Sequence, residues 1–166
     1  MDTCPECGFT YGETSHAALM AELRAGAYAM ARLLRSGSPT VRIRPAAEVW
    51  SPLGYGCHMR DVALMQRDRL YVALVEDEPS FKPMYREQRV AFDRYDDQDP
   101  IAVADQLVMG IDLFAHALEG LDAEQWLRPL VYGFPDPSVR TVEWMAHHTL
   151  HEVVHHLVDV DRLVNA

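Results

Sequence analysis

Two cap-plus-proline pairs, Ser51-Pro52 and Asp99-Pro100, constrain this chain more than any other feature of it. In each, a side-chain oxygen can accept from the free N–H groups that open a helix. The proline that follows has no N–H to leave unpaired at the first helical position. A long amphipathic run follows each pair, the first through Cys57, His58, Val62, Met65, Tyr71 and Val75 to near Glu78-Pro79, the second to near Leu121. A third run, residues 15–34, is built on Leu19, Leu23, Tyr28, Met30 and Leu33 and is stopped by Ser36-Gly37-Ser38-Pro39. A fourth is capped by Thr141 and continues nearly to the last residue. Val41-Arg42-Ile43 alternates but is too short for a sheet, and Val131-Tyr132-Gly133-Phe134-Pro135-Asp136-Pro137 reads as a loop. Four long amphipathic segments without a convincing strand pair predict an all-α fold, a four-helix bundle. Lengthy links after the first and second helices predict crossover connections. The second link is expected to hold a turn of helix over 85–92, and Asp122-Ala123-Glu124-Gln125 has capping-box spacing for one extra turn. Residues 1–14 are read as an N-terminal arm carrying a CxxC motif, and residues 15–166 as the bundle.

With 166 residues, 49% hydrophobic and 24% charged, the chain has the size and mixture of one globular domain. A net charge of −10 sets its overall field against phosphate backbones, and Arg42-Ile43-Arg44 is too sparse a basic cluster to overcome it. No uninterrupted apolar run approaches the roughly 20 residues of a membrane span. Met1-Asp2-Thr3-Cys4-Pro5 lacks the basic start and apolar stretch of a secretion signal. A cytoplasmic protein is therefore expected, with a small-molecule substrate, no nucleic-acid or membrane partner, and a homodimer as the candidate assembly. Only one of the 15 basic residues, Lys82, is a lysine, a bias in keeping with a GC-rich genome.

Five of the eight histidines, His147, His148, His151, His155 and His156, fall within ten residues of the last helix. At about 100° per residue, Leu150, Val153, Val154, Leu157 and Val164 form an apolar arc that Trp144 and Val158 extend past His147 and His151, with His155 at its edge. Glu152 and His156 point further round, toward solvent or a neighbouring helix. Two imidazoles at i and i+4 meet on one face, as a transition metal requires of a single helix. His147, His151 and His155 make a ladder whose ends lie about 12 Å apart by helical rise, so one ion can take only an adjacent pair. His151-Glu152-Val153-Val154-His155 also matches HExxH, in which the glutamate is a general base. Too little chain follows to supply that motif's usual third ligand, which directs the search upstream to His58, on a face of the second helix that looks into the bundle. Asp61, one turn on, is read either as an acceptor that orients His58 or as a solvated carboxylate.

Trp50-Ser51-Pro52-Leu53-Gly54-Tyr55-Gly56-Cys57-His58-Met59-Arg60-Asp61-Val62 resembles the second-helix segment of DinB/YfiT-like proteins, and His151-Glu152-Val153-Val154-His155-His156-Leu157 resembles their last-helix HxxxH. The resemblance extends over about residues 15–163, including the Asp122 to Pro129 segment and the Thr141-Val142-Glu143-Trp144 helix start. It implies a bundle that binds one divalent metal, zinc or nickel, through His58, His151 and His155. It also implies kinship with thiol-dependent S-transferases and with mycothiol-dependent maleylpyruvate isomerase, in which a metal-bound low-molecular-weight thiol attacks a small electrophile. Three neutral imidazoles would leave an open position for that thiol.

Cys4-Pro5-Glu6-Cys7-Gly8 resembles half of a zinc knuckle. It is read as a second zinc site completed by Cys57 and a histidine such as His16, as a redox pair, or as a plain tail. Two functions compete with the thiol transferase or isomerase: a non-catalytic metal-binding stress-response protein, and a metal-dependent hydrolase using HExxH.

Overall fold

The computed structural model describes residues 3–133 and 136–165. Four long helices carry the fold: α1 (His16–Leu34), α2 (Pro52–Val75), α4 (Pro100–Glu119) and α6 (Val142–Val164). Two short ones, α3 (Arg86–Phe92) and α5 (Ala123–Trp126), sit in the links. The helix starts follow the capping chemistry written in the sequence. Ser15 accepts from the Ala18 N–H, Ser51 from Gly54, Asp99 from Ile101 and Ala102, and Thr141 from Trp144, while Asp122 and Gln125 close a reciprocal capping box.

α4 packs against both α1 and α2, and α6 packs against the same two helices from the other side, whereas α1 and α2 touch little. The order round the bundle is thus α1, α4, α2, α6, and the connections cross it, as the long links predicted. The core is a single cluster that includes Leu19, Leu23, Met30, Leu53, Leu70, Leu107, Phe114, Leu150 and Val153. α4 is apolar and long enough by composition to cross a bilayer, against the expectation that no segment is. Here it is a core helix: Val103, Leu107, Ile111, Phe114 and Leu118 are buried, while Asp105 and Asp112 on its outer face pair with Arg35 and Arg24.

A small sheet departs from the expectation of no strands. β1 (Ser80–Phe81) runs parallel to β2 (Pro129–Tyr132), which pairs antiparallel with β3 (Ser138–Thr141), with Leu130 opposite Arg140 and Tyr132 opposite Ser138. The segment read as a loop therefore opens with the last two residues of β2, Val131 and Tyr132, and stops just short of β3; Phe134 and Pro135 lie outside the described residues. Glycine and prolines masked the alternation that buries Leu130 and Tyr132. The 39–42 segment forms a single 3₁₀ turn and no strand.

Helix α1 approaches α6 closely at Gly26, where an added Cβ would lie 2.3 Å from Val153 Cγ1. Gly26→Ala should gain about 1 kcal/mol of helix propensity yet lose more to overpacking, a net destabilisation of about 1–2 kcal/mol. Gly120→Ala, whose Cβ meets nothing closer than 3.8 Å, is the control expected to be neutral in the same denaturation experiment.

Candidate metal centre

The last helix presents its histidines to two different neighbours. Val142, Met145, Ala146, Thr149, Leu150, Val153 and Val160 form its buried stripe, and His156 lies on the same stripe. Counted from Val153 at about 100° per residue, His156 is about 60° away and Glu152 about 100°, on the side that faces α2; His151 and His155 are each about 160° away, on the far side from the core. What meets them there is the N-terminal arm.

On the α2 side, His58, Glu152 and His156 each offer a ligand atom, and these atoms all lie within 4.8 Å of one another. His58 Nε2 is 3.3 Å from Glu152 Oε2, and His156 Nε2 is 3.5 Å from the same oxygen. The two imidazoles meet edge to face with centroids 4.8 Å apart. His156 Nδ1 donates to Asp159 Oδ2 at 3.0 Å, an outer contact of the kind that orients a metal-ligating imidazole. His58 is 1% exposed, wedged beside Trp50, and its Nδ1 is buried without a hydrogen-bond partner among the described residues. His148 Nε2 lies 3.7 Å from the other Glu152 oxygen.

Burial disfavours the charged form of His58 and lowers its pKa, and burial takes His148 down to about 4, so both stand ready as neutral bases. Burial also opposes ionisation of Glu152, but hydrogen bonds from His156 and His58, with His148 nearby, hold it well below the usual carboxylate value. His156 goes the other way: burial is outweighed by Asp159 and Glu152, and its pKa rises. Held between Asp159 and Glu152, His156 favours its charged form, and an ion bound there would displace that proton. Two imidazoles and one carboxylate fit a divalent metal of the zinc type with a position left open.

His58 and Glu152 also border a cavity of about 230 Å³ between α2, the 82–88 link and the sheet, lined further by Val62, Met65, Gln66 and Arg69 from successive turns of α2, by Tyr132 and by His148. Arg69 is 9% exposed and has no carboxylate within 4 Å among the described residues; it donates to Tyr132 Oη at 3.2 Å and to the Lys82 carbonyl. Gln66 donates to the same tyrosine at 2.9 Å.

A family model, the DinB superfamily, matches residues 30–159. The chain belongs to the DinB superfamily. Its fold is also that of YfiT from Bacillus subtilis, described as a probable metal-dependent hydrolase with an unusual four-helix-bundle topology: the TM-score is 0.75 at 14% identity, over 95% of this chain and 94% of that one. No curated protein is significantly similar to the chain.

Within this DinB bundle the three histidines expected to share one ion are not brought together. His58 meets Glu152 and His156, whereas His151 and His155 meet Cys4 and Cys7, again with all ligand atoms within 4.8 Å. The carboxylate thought to turn away from the site is its centre, and His156, read as peripheral, faces His58. Of the HExxH residues, His151 and His155 meet the arm, while Glu152 lies among His58, His156 and His148, with His151 Nδ1 4.0 Å from its Oε1. Cys57 and His16, offered as partners for the CxxC, are elsewhere: Cys57 is buried with its Sγ 3.6 Å from Gln98 Oε1, and His16 stacks on Trp126 and pairs with Glu143 at 2.9 Å. Burial pushes the Cys57 thiol up to about 12. Asp61 neither touches His58 nor sits in solvent; it is buried and paired with Arg60.

Proposed function

We propose that this protein is a metal-dependent enzyme acting on a small anionic molecule in the α2–α6 cavity, a transferase or isomerase with a low-molecular-weight thiol as co-substrate. The observation that carries the reading is the convergence of His58, Glu152 and His156, two of which, His58 and Glu152, also line a neighbouring cavity. These three residues would hold one divalent ion, zinc or nickel by the chemistry of the donors. When bound, such an ion acts as a Lewis acid and lowers the pKa of a thiol or water.

The remaining work falls to the chain. Asp159 fixes the His156 ring by accepting from Nδ1, and the Tyr11 hydroxyl, 2.8 Å from Nδ1, holds the His148 ring. His148, kept neutral by burial, borders the cavity as a proton acceptor. Arg69 supports an anionic substrate: a buried guanidinium without a carboxylate is costly unless an anion completes it, and Lys82 adds positive charge at the rim. Hydrolysis is the second reading, favoured by the likeness to YfiT; it needs the same ion with water in place of the thiol.

Untagged protein purified without a nickel column should lose a thiol-conjugation activity on chelation and regain it on adding back zinc or nickel. His58→Ala and His156→Ala should lose the inner ion and that activity together, by at least about 100-fold, since even loss of an outer partner costs about 10–100-fold in affinity. Metal-dependent turnover that needs no thiol would select hydrolysis. Full activity in metal-free protein would overturn both readings.

A further inference from the structure

The arm brings two donors from outside the family match, Cys4 and Cys7, to two histidines inside it. Cys4 and Cys7 lie more than 140 residues from His151 and His155 in the chain, yet their four ligand atoms fall within 4.8 Å of one another. We propose that Cys4, Cys7, His151 and His155 hold a structural zinc ion, distinct from the inner centre, that clasps the N-terminal arm onto α6.

The geometry of each donor supports this. Cys4 Sγ is 3.7 Å from His155 Nδ1, close to the roughly 3.6 Å edge of a tetrahedron built with Zn–S of about 2.3 Å and Zn–N of about 2.0 Å. His151 Nε2 is buried with no hydrogen-bond partner among the described residues, while its Nδ1 lies 3.1 Å from Tyr11 Oη. A phenol oxygen that accepts from Nδ1 leaves the Nε2 lone pair free, the tautomer a metal requires. His155 uses its ring in the opposite sense. Nε2 pairs with Glu6 at 3.4 Å and Asp159 at 3.6 Å, which leaves Nδ1 toward Cys4. Both imidazoles therefore have their outer nitrogen engaged and their inner one unassigned.

The arm is shaped for the task. The Gly8 N–H bonds the Cys4 carbonyl at 2.8 Å, the Cys4 N–H bonds the Phe9 carbonyl at 2.8 Å, and Gly8 takes a positive φ of 76° to close the knuckle. Phe9 and Tyr11 are its main apolar anchors on α6, too few for a segment of this length to stay down by burial alone. Two thiolates and two imidazoles form a closed tetrahedral set with no open position, hence a structural role. The clasp also sets Tyr11 between the two centres, 2.8 Å from His148 Nδ1 and 3.1 Å from His151 Nδ1.

The test uses the full chain carrying His58→Ala, so that the inner centre cannot contribute and failure of the enzymatic reading leaves this result untouched. Refilled with cobalt(II), this protein should take up one ion per chain and show a thiolate-to-cobalt charge-transfer band with tetrahedral ligand-field absorption. Adding Cys7→Ser or His155→Ala should abolish that band while helical circular dichroism is retained. In the unsubstituted zinc-loaded protein no cysteine should react with a thiol reagent. Chelation should release two reactive thiols, and Cys57 should respond only on denaturation. Cobalt uptake without the charge-transfer band, equal thiol reactivity before and after chelation, or a Cys4–Cys7 disulfide in protein isolated under reducing, metal-replete conditions would each overturn the proposal.

Discussion

Glu152→Gln should strip the inner centre of its metal affinity by at least about 100-fold, and activity should fall with metal content. One carboxylate holds the site together: its Oε2 lies 3.3 Å from His58 Nε2 and 3.5 Å from His156 Nε2, and its Oε1 lies 3.7 Å from His148 Nε2. An amide of the same size keeps the packing and removes the charge that a divalent ion would meet and that raises the His156 pKa. The substitution separates three mechanisms by two readouts, metal affinity from a chelator competition and turnover with metal in excess. Loss of affinity with turnover restored by excess metal marks a ligand. Retained affinity with lost turnover marks the general base of an HExxH hydrolase. If both survive, Glu152 is neither, and the inner centre has to be rebuilt around His148.

The architecture was legible because it is local. Ser51-Pro52, Asp99-Pro100, Asp122 with Gln125, and Thr141 state where helices begin through hydrogen bonds made within three residues. The sheet was not, because β1 and β2 come from segments about 50 residues apart and pair only over two positions. The metal centre was half legible. His58 stood out from its helix and its neighbours, but the residues the structure sets beside it, Glu152 and His156, are not the pair expected from the sequence, for a geometric reason. His151/His155 satisfies i, i+4 as well as Glu152/His156 does, and an apolar arc drawn through Val154 and Val158 rotates the wheel away from the pair that faces His58. The stripe 142, 145, 146, 149, 150, 153, 160 gives the correct axis, and it places His156 inward. Nothing in the helix itself reveals that its far side is covered. That fact belongs to Cys4, Cys7, Phe9 and Tyr11, at the opposite end of the chain.

Asp61→Ala should cost about 3–5 kcal/mol of folding stability, a large part of the roughly 5–15 kcal/mol available to a domain of this size. Asp61 is 7% exposed and Arg60 is 8% exposed, and they bond side by side at 2.8 Å. The buried Tyr95 hydroxyl donates to the second Asp61 oxygen at 2.6 Å, and Arg60 Nη1 donates to Gln98 at 2.6 Å and to Gln106 at 2.9 Å. This network ties α2 to the 93–99 link and to α4, which is why a short alanine is costly there: it strands a guanidinium and an O–H at once. Tyr95→Phe removes only the O–H and leaves the ion pair, so about 1–2 kcal/mol is expected from it. Replacing both charges, Arg60→Met with Asp61→Leu, should recover much of the loss, since an apolar pair has no charge to strand. Chemical denaturation at one fixed metal concentration measures all three, because a bound ion adds its own stabilisation. An Asp61→Ala protein less than about 1 kcal/mol below the parent would mean that water reaches Arg60, and that this buried pair does not fasten the link to the bundle.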